Sequence, residues 1–363
     1  MRWTDDDEFL ADSGSLKGHY GVPPRPLDAM APIQLVSTCL PPNEAYFKIV
    51  KKGEDTVAGG ALKCFHQAFV GGCYIGFGGL LSMAIGGQIP GATAGTQKFV
   101  FAALFPVNLL LILLTGGSLF TGNAAALPAA VFEGKTHWGN VLKYLVISWV
   151  GNFLAAGMFA GLTEYADLCP NTYSELAETL TVDKYVDKYS SCGYLAVQVV
   201  QKKVASSWGQ TFVKGIMCNW MVCMAVFLSS QAQDMTGKMV GIWFPISAFV
   251  AMGMEHSVAN MFMLPLGLIA GSHMPSDTFD ITFSDALVKN MIPVSLGNLL
   301  AGTVCVAASY SFAYGKMGQS MCGSKDKFSF LTVGCNCFTP NKLRFKTDST
   351  LPEVEGSAHT QPI

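Results

Sequence analysis

Glu255 and His256 stand side by side in a stretch, Met239–Gly271, that is otherwise almost wholly apolar. Titratable groups at that depth are costly to keep, and where they persist they pair, relay protons or line a path for polar cargo. Histidine is the side chain suited to proton handling near neutral pH; its bland alternative is a hydrogen bond to a neighbouring helix for packing alone. Adjacent residues diverge on a helix, so Glu255 is expected to face away from His256 and to tie down loop backbone or a subunit contact. Asn123 and Asn260, each followed four residues later by Leu-Pro, are uncharged donors that can satisfy freed backbone or bind an anion without a fixed charge. Asn152 and Asn298 each follow a Gly and are expected to support helix packing. Lys63 and Lys203 stand before apolar stretches in the two halves of the chain, where lysines either snorkel to headgroups or attract anions.

Apolar helices have to position these residues. A helix needs about 20 residues to cross the hydrocarbon layer, and six stretches qualify: Ala61–Ile85, Lys98–Phe132, Trp138–Leu162, Ser207–Gln231, Met239–Gly271 and Val288–Tyr314. The second and fifth are too long for one straight span. Gly, Pro and polar residues interrupt them, at Thr115–Asn123 with Pro128 and at Glu255–Asn260 with Pro265. Broken helices at membrane depth are tolerated only where the freed backbone lines a cavity, so the breaks point at a path.

Composition agrees. Half of the 363 residues are apolar, 13% are charged, and the mean hydropathy is +0.37, against roughly 25% charge in ordinary soluble proteins. A net charge of −2 leaves no basic face for nucleic acid. The eleven cysteines contain no CxxC pairs, so no zinc module or other metal site is expected, and no cofactor. The N-terminus opens with Asp5, Asp6, Asp7 and Glu8 and lacks an apolar signal segment, so the first span is expected to do the targeting. Lys and Arg number fourteen on the side of the tails and the second and fourth loops, against five on the other. Both termini are therefore expected to be cytoplasmic. The organisation that follows is a cytoplasmic N-terminal segment 1–60, a transmembrane domain 61–314 and a cytoplasmic tail 315–363, with both tails weakly ordered. The loop 163–202 is then extracellular, and its two cysteines, Cys169 and Cys192, are expected to form a disulfide worth roughly 3 kcal/mol by chain entropy.

Three collinear matches relate the halves. Gln67-x-Phe69-Val70-x-Gly72 meets Gln210-x-Phe212-Val213-x-Gly215, Asn123 with Leu127-Pro128 meets Asn260 with Leu264-Pro265, and Gly151-Asn152 meets Gly297-Asn298. Each half holds three spans, and an odd number inverts the second half in the membrane. The fold class is thus an all-α membrane protein, six transmembrane helices in an inverted 3+3 repeat with spans two and five broken.

With LFTGN at Leu119–Asn123, KKV…GIMCNWMVC at Lys202–Cys223, FVAMGMEHSVANMFMLPLG at Phe249–Gly267 and GNLLAG at Gly297–Gly302, the chain resembles the formate/nitrite transporter family over about Pro32 to Tyr314. The resemblance implies a homopentamer of aquaporin-like protomers, each with its own pore for small monovalent anions and protons; the composition places the chain in a lipid bilayer, and the plasma membrane is the expected one. It places the central histidine on His256, with Asn260 beside it and Thr121 as hydrogen-bond partner. It places vestibule lysines on Lys63 and Lys203, and two apolar constrictions on Phe105, Leu109, Leu119, Phe120, Val222 and Phe249. Many relatives have an acid before the Leu-Phe-Thr run; here it is Ser118, so the resemblance carries no acid over to the first loop.

A bare anion crossing two apolar rings pays many kcal/mol in desolvation, whereas its neutral acid does not. The expected cargo is formate or nitrite, with lactate or hydrosulfide as further candidates, moved with a proton. An aquaporin-type channel for neutral solutes is disfavoured because NAA and NMF stand where such channels carry NPA. An enzyme is disfavoured because only His66 and His256 of the six histidines fall in spans.

Overall fold

The computed structural model describes residues 38–86, 89, 93–169, 192–274 and 278–321. Most of the expected weakly ordered tails, and the centre of the expected extracellular loop at 170–191, lie outside the described residues. Apart from an isolated bridge between Cys39 and Ala232, the regular structure among the described residues is helical. Six helices there are long and apolar enough to cross a membrane. In chain order the elements are α1 (Pro42–Ala58), α2 (Gly60–Gly86), α3 (Ala94–Leu104), α4 (Val107–Thr115), α5 (Phe120–Phe132) and α6 (Trp138–Tyr165) in the first half. The second half has α7 (Cys192–Ala205), α8 (Trp208–Gln231), α9 (Met235–Met252), α10 (Ser257–Ser272), α11 (Phe283–Tyr314) and a short α12 (Lys316–Met321).

The second and fifth spans break where the sequence turns to glycine. α4 ends on Gly116 at φ +86° and α9 on Gly253 at φ +73°. An L side chain disfavours that left-handed region by about 1 kcal/mol, and glycine does not. After a short extended link the chain turns helical again, as the buried half-helices α5 and α10. Pro128 and Pro265 lie inside those half-helices and do not make the breaks.

Matching hydrogen bonds record the duplication. Asn152 Nδ2 donates to the Ala68 and Ser118 carbonyls at 2.6 and 3.0 Å, and its Oδ1 accepts from the Phe120 N–H at 2.8 Å. Asn298 Nδ2 donates to the Gly215 and Glu255 carbonyls at 2.7 and 3.0 Å, and its Oδ1 accepts from the Ser257 N–H at 2.8 Å. These two asparagines, not Asn123 and Asn260, satisfy the backbone freed at the breaks. The Ser118 N–H donates to the Gln67 carbonyl where the Glu255 N–H donates to that of Lys214. Gln67 and Ala68 thus answer to Lys214 and Gly215, one helical turn away from the alignment that the Gln-x-Phe-Val match implies.

The repeat also extends one helix beyond the three spans. Tyr144 donates to the Val57 carbonyl at the end of α1, and Asn290 to the Lys203 carbonyl at the end of α7. The composition assigns α1 to a weakly ordered tail, yet it buries Ala45, Tyr46, Ile49, Val50 and Gly53. That spacing is one face of an amphipathic helix, and the lysines between hide it in a composition count. α1 packs on Ala126 and Ala129 of α5 and on Phe227 of α8. Likewise α6 and α7 occupy both ends of the segment expected to be a loop, because α7 buries Ala196, Val197, Val200 and Val204 on one face. Cys169 and Cys192 are joined by a disulfide with Cα atoms 5.0 Å apart.

Candidate functional site

His256 caps α10. Its Nδ1 accepts from the Ala259 N–H at 3.1 Å, so Nδ1 carries no hydrogen and the neutral ring keeps its hydrogen on Nε2. Nε2 then donates to Thr121 Oγ1 at 3.0 Å, across the gap between the two half-helices. Both residues are buried. Asn219 on α8 fixes Thr121 from behind, its Nδ2 donating to the Thr121 carbonyl at 3.1 Å and to that of Asn298 at 2.7 Å.

The ring faces a chamber of about 10 Å³, room for roughly one water. Phe105, Leu109, Leu119, Val222 and Phe249 line it together with Ile75, Asn108, Ile246 and His256. Five of the six residues placed at constrictions therefore gather around one point. Phe120 does not line it; it opens α5, gives its N–H to Asn152 and is packed in the core. Phe105 and Phe249 meet edge to face at 6.5 Å between ring centres. Together with His256 they separate the chamber from the mouth beside α7.

That mouth, a cavity of about 160 Å³, is lined by Lys202, Lys203 and Lys214, and also by Glu255. Glu255 Oε2 accepts from Lys203 Nζ at 2.7 Å and from Asn260 Nδ2 at 2.8 Å. Asn260 gives its other hydrogen to Asn290 Oδ1 at 2.7 Å. Glu255 does turn away from His256, but into an ion pair that neutralises Lys203.

The opposite mouth, beside α1, is a cavity of about 360 Å³ lined by Lys48, Lys52, Lys238 and Ser118, with no acid among its described lining residues. Desolvation pushes the Lys52 ammonium below the ordinary lysine range. Ser118 occupies the position that Glu255 holds in the second half, but its hydroxyl donates to Asn123 Oδ1 at 3.2 Å, whereas Glu255 accepts from Asn260 Nδ2. Asn123 Nδ2 is buried without a partner. Lys63, expected at a vestibule, is exposed in the first turn of α2 and lines neither mouth, because α1 folds over that end of the path. Lys52 takes the place expected of it.

The family model described as formate/nitrite transporter matches residues 43–312. The chain belongs to the formate/nitrite transporter family. This is a family of multi-pass membrane channels and transporters, not of enzymes. Among its relatives is a probable formate transporter of Methanothermobacter thermautotrophicus, 38% identical over 249 residues that make up 68% of this chain and 87% of the relative. A formate channel of Bacillus thuringiensis is 32% identical over 260 residues, 70% of this chain and 87% of the relative. A solved FNT family ion channel superposes with a TM-score of 0.62 at 26% identity, covering 74% of this chain and 98% of that one. A pentameric formate channel with formate bound superposes with a TM-score of 0.58 at 26% identity, covering 70% of this chain and 98% of that one.

Within this formate/nitrite transporter fold, four positions escape reading from sequence. Lys52 hides in a charged segment before the first span. Asn219, inside the quoted CNWMVC run, gives no sign that it braces Thr121. Asn290 sits in a π-helical turn of α11, Ala286–Met291, that no local pattern announces. Asn108 is a single polar residue in the apolar run that forms α4, and that polar interruption is the available signal.

Proposed function

We propose that this protein moves small monovalent weak-acid anions, formate and nitrite foremost, across the plasma membrane together with a proton. Lactate and hydrosulfide fall in the same class. The protein acts as a homopentamer with one path per protomer and with both termini cytoplasmic. The reading rests chiefly on one observation: a neutral His256–Thr121 pair lies inside an apolar constriction that divides two lysine-bearing mouths. The similar solved pentameric formate channel supports the assembly, and the excess of lysine and arginine on one side supports the orientation.

Lysines at the mouth concentrate the anion. As the dielectric falls inward, the pKa of the carboxylate rises from roughly 4, and protonation becomes favourable. The neutral acid then crosses the Phe105, Leu119, Val222 and Phe249 constriction without the desolvation cost of a charge. His256 is committed at Nδ1 to the cap of α10 and at Nε2 to Thr121, so it does not relay the proton: the His256–Thr121 pair is the polar point of the constriction, and bulk water supplies the proton. Anion and proton travel together and no net charge moves.

Uptake of labelled formate, nitrite and lactate into proteoliposomes at two external pH values tests this reading, with His256→Phe as the comparison. Transport should be lost in the variant while a folded pentamer remains. Full uptake by folded His256→Phe protein would refute the central role of His256.

A further inference from the structure

We infer that Asn108 is a second polar station in the central chamber, a hydrogen-bond donor that selects acids bringing a carbonyl-type oxygen; the inference rests on the transport reading above and names its preferred substrate class. Asn108 lies in the first turn of α4, just beyond Pro106, and is 2% exposed. It lines the same small chamber as His256, among Leu109, Leu119, Val222 and Phe249. Its Nδ2 is buried with no hydrogen-bond partner. Unpaired buried donors are uncommon in folded proteins, and one carried by a side chain that lines a transport chamber calls for a partner that arrives.

Packing does not explain the amide. The duplicated position in the second half is Pro245, which offers no side-chain donor, so the architecture common to both halves works without one. The first half instead makes room for it: a Cβ on Gly78 of α2 would come within 2.7 Å of the Asn108 Cβ. The chamber also needs a donor. The one hydrogen of the His256 ring is already given to Thr121, and the other chamber side chains named here are apolar.

A protonated carboxylic acid carries a hydroxyl to donate and a carbonyl oxygen to accept, and nitrous acid has the corresponding N=O oxygen. Asn108 Nδ2 supplies the hydrogen that this oxygen requires. Hydrogen sulfide has no such oxygen and its sulfur is a weak acceptor, so it gains little from the amide. The path therefore favours formate, lactate and nitrite over hydrosulfide.

Full-length protein in proteoliposomes tests this through initial uptake rates of labelled formate and of hydrosulfide, for wild type, Asn108→Leu and Asn108→Ala. Leucine keeps the branched, four-atom outline of asparagine and removes an unpaired amide but is bulkier, so the Asn108→Leu comparison uses protein that remains a folded pentamer. Its formate kcat/KM should fall roughly fivefold to tenfold, the effect of one neutral hydrogen bond, while hydrosulfide uptake stays within twofold. Asn108→Ala should shift the formate-to-hydrosulfide ratio in the same direction, which keeps the test in hand if Asn108→Leu misfolds. An unchanged ratio in either folded, active variant would overturn the inference. Wild type that carries hydrosulfide but no formate would overturn it as well, whereas wild type that carries neither would refute the transport reading itself.

Discussion

His256 is held from two sides, and that makes its chemistry specific. One ring nitrogen caps a half-helix and the other reaches Thr121, so the ring cannot turn or take a second proton without giving up the cap. The sequence marks His256 clearly, because a titratable side chain in an apolar stretch is costly to keep unless it pairs or works. It marks Lys203 less well. An open vestibule lysine acts on KM alone, but the Lys203 side chain is 15% exposed and bonded to a Glu255 side chain that is 5% exposed. Removing one member of a buried pair leaves the other charge unpaired, at a cost of several kcal/mol. Lys203→Ala should therefore destabilise the protein by about 3 kcal/mol, read as a drop in thermal unfolding temperature in detergent. Lys203→Ala with Glu255→Gln should recover most of the loss, since glutamine keeps an acceptor for Asn260. An unaltered unfolding temperature in the single variant would place Lys203 in solvent.

At the scale of elements, the half-helices exist because glycine ends α4 and α9 and because an asparagine on the following span catches the loose backbone. The glycines and the inverted duplication are legible in the sequence, since Gly116 and Gly253 each stand seven residues before a matching Asn. The division of labour is not. Asn123 and Asn260 lie next to the breaks in sequence, but Asn152 and Asn298 reach them from another helix, a long-range contact that no spacing encodes. α1 escapes notice for a related reason: its apolar face is narrow and lysines flank it. Asn298→Ala would strand two buried backbone groups, the Glu255 carbonyl and the Ser257 N–H, and would take from the Gly215 carbonyl its second hydrogen bond. Unsatisfied buried groups cost about 1–3 kcal/mol each, so the variant should lose about 3 kcal/mol or more in a denaturant titration. A loss within the scatter of surface substitutions would contradict the bracing role.

Over the whole molecule, the two halves share a backbone plan but differ in charge. The α7 mouth carries its own carboxylate on Lys203, while the α1 mouth has Ser118 at the equivalent place and no acid among its described lining residues. The α1 mouth should then collect anions with the higher apparent affinity and the steeper salt dependence. Ser118→Asp should raise KM severalfold for uptake from that side and leave the other side unchanged, as measured in intact cells against inside-out vesicles. Equal KM values from the two sides of wild type, unchanged in the variant, would contradict this asymmetry. Passage of the substrate as a neutral acid is tested most directly by an electrical measurement. In a voltage-clamped bilayer containing the protein, an imposed proton gradient should drive formate across with no formate-dependent current, and the flux should rise as pH falls on the side of entry. A steady current carried by formate at neutral pH, indifferent to the proton gradient, would contradict the account.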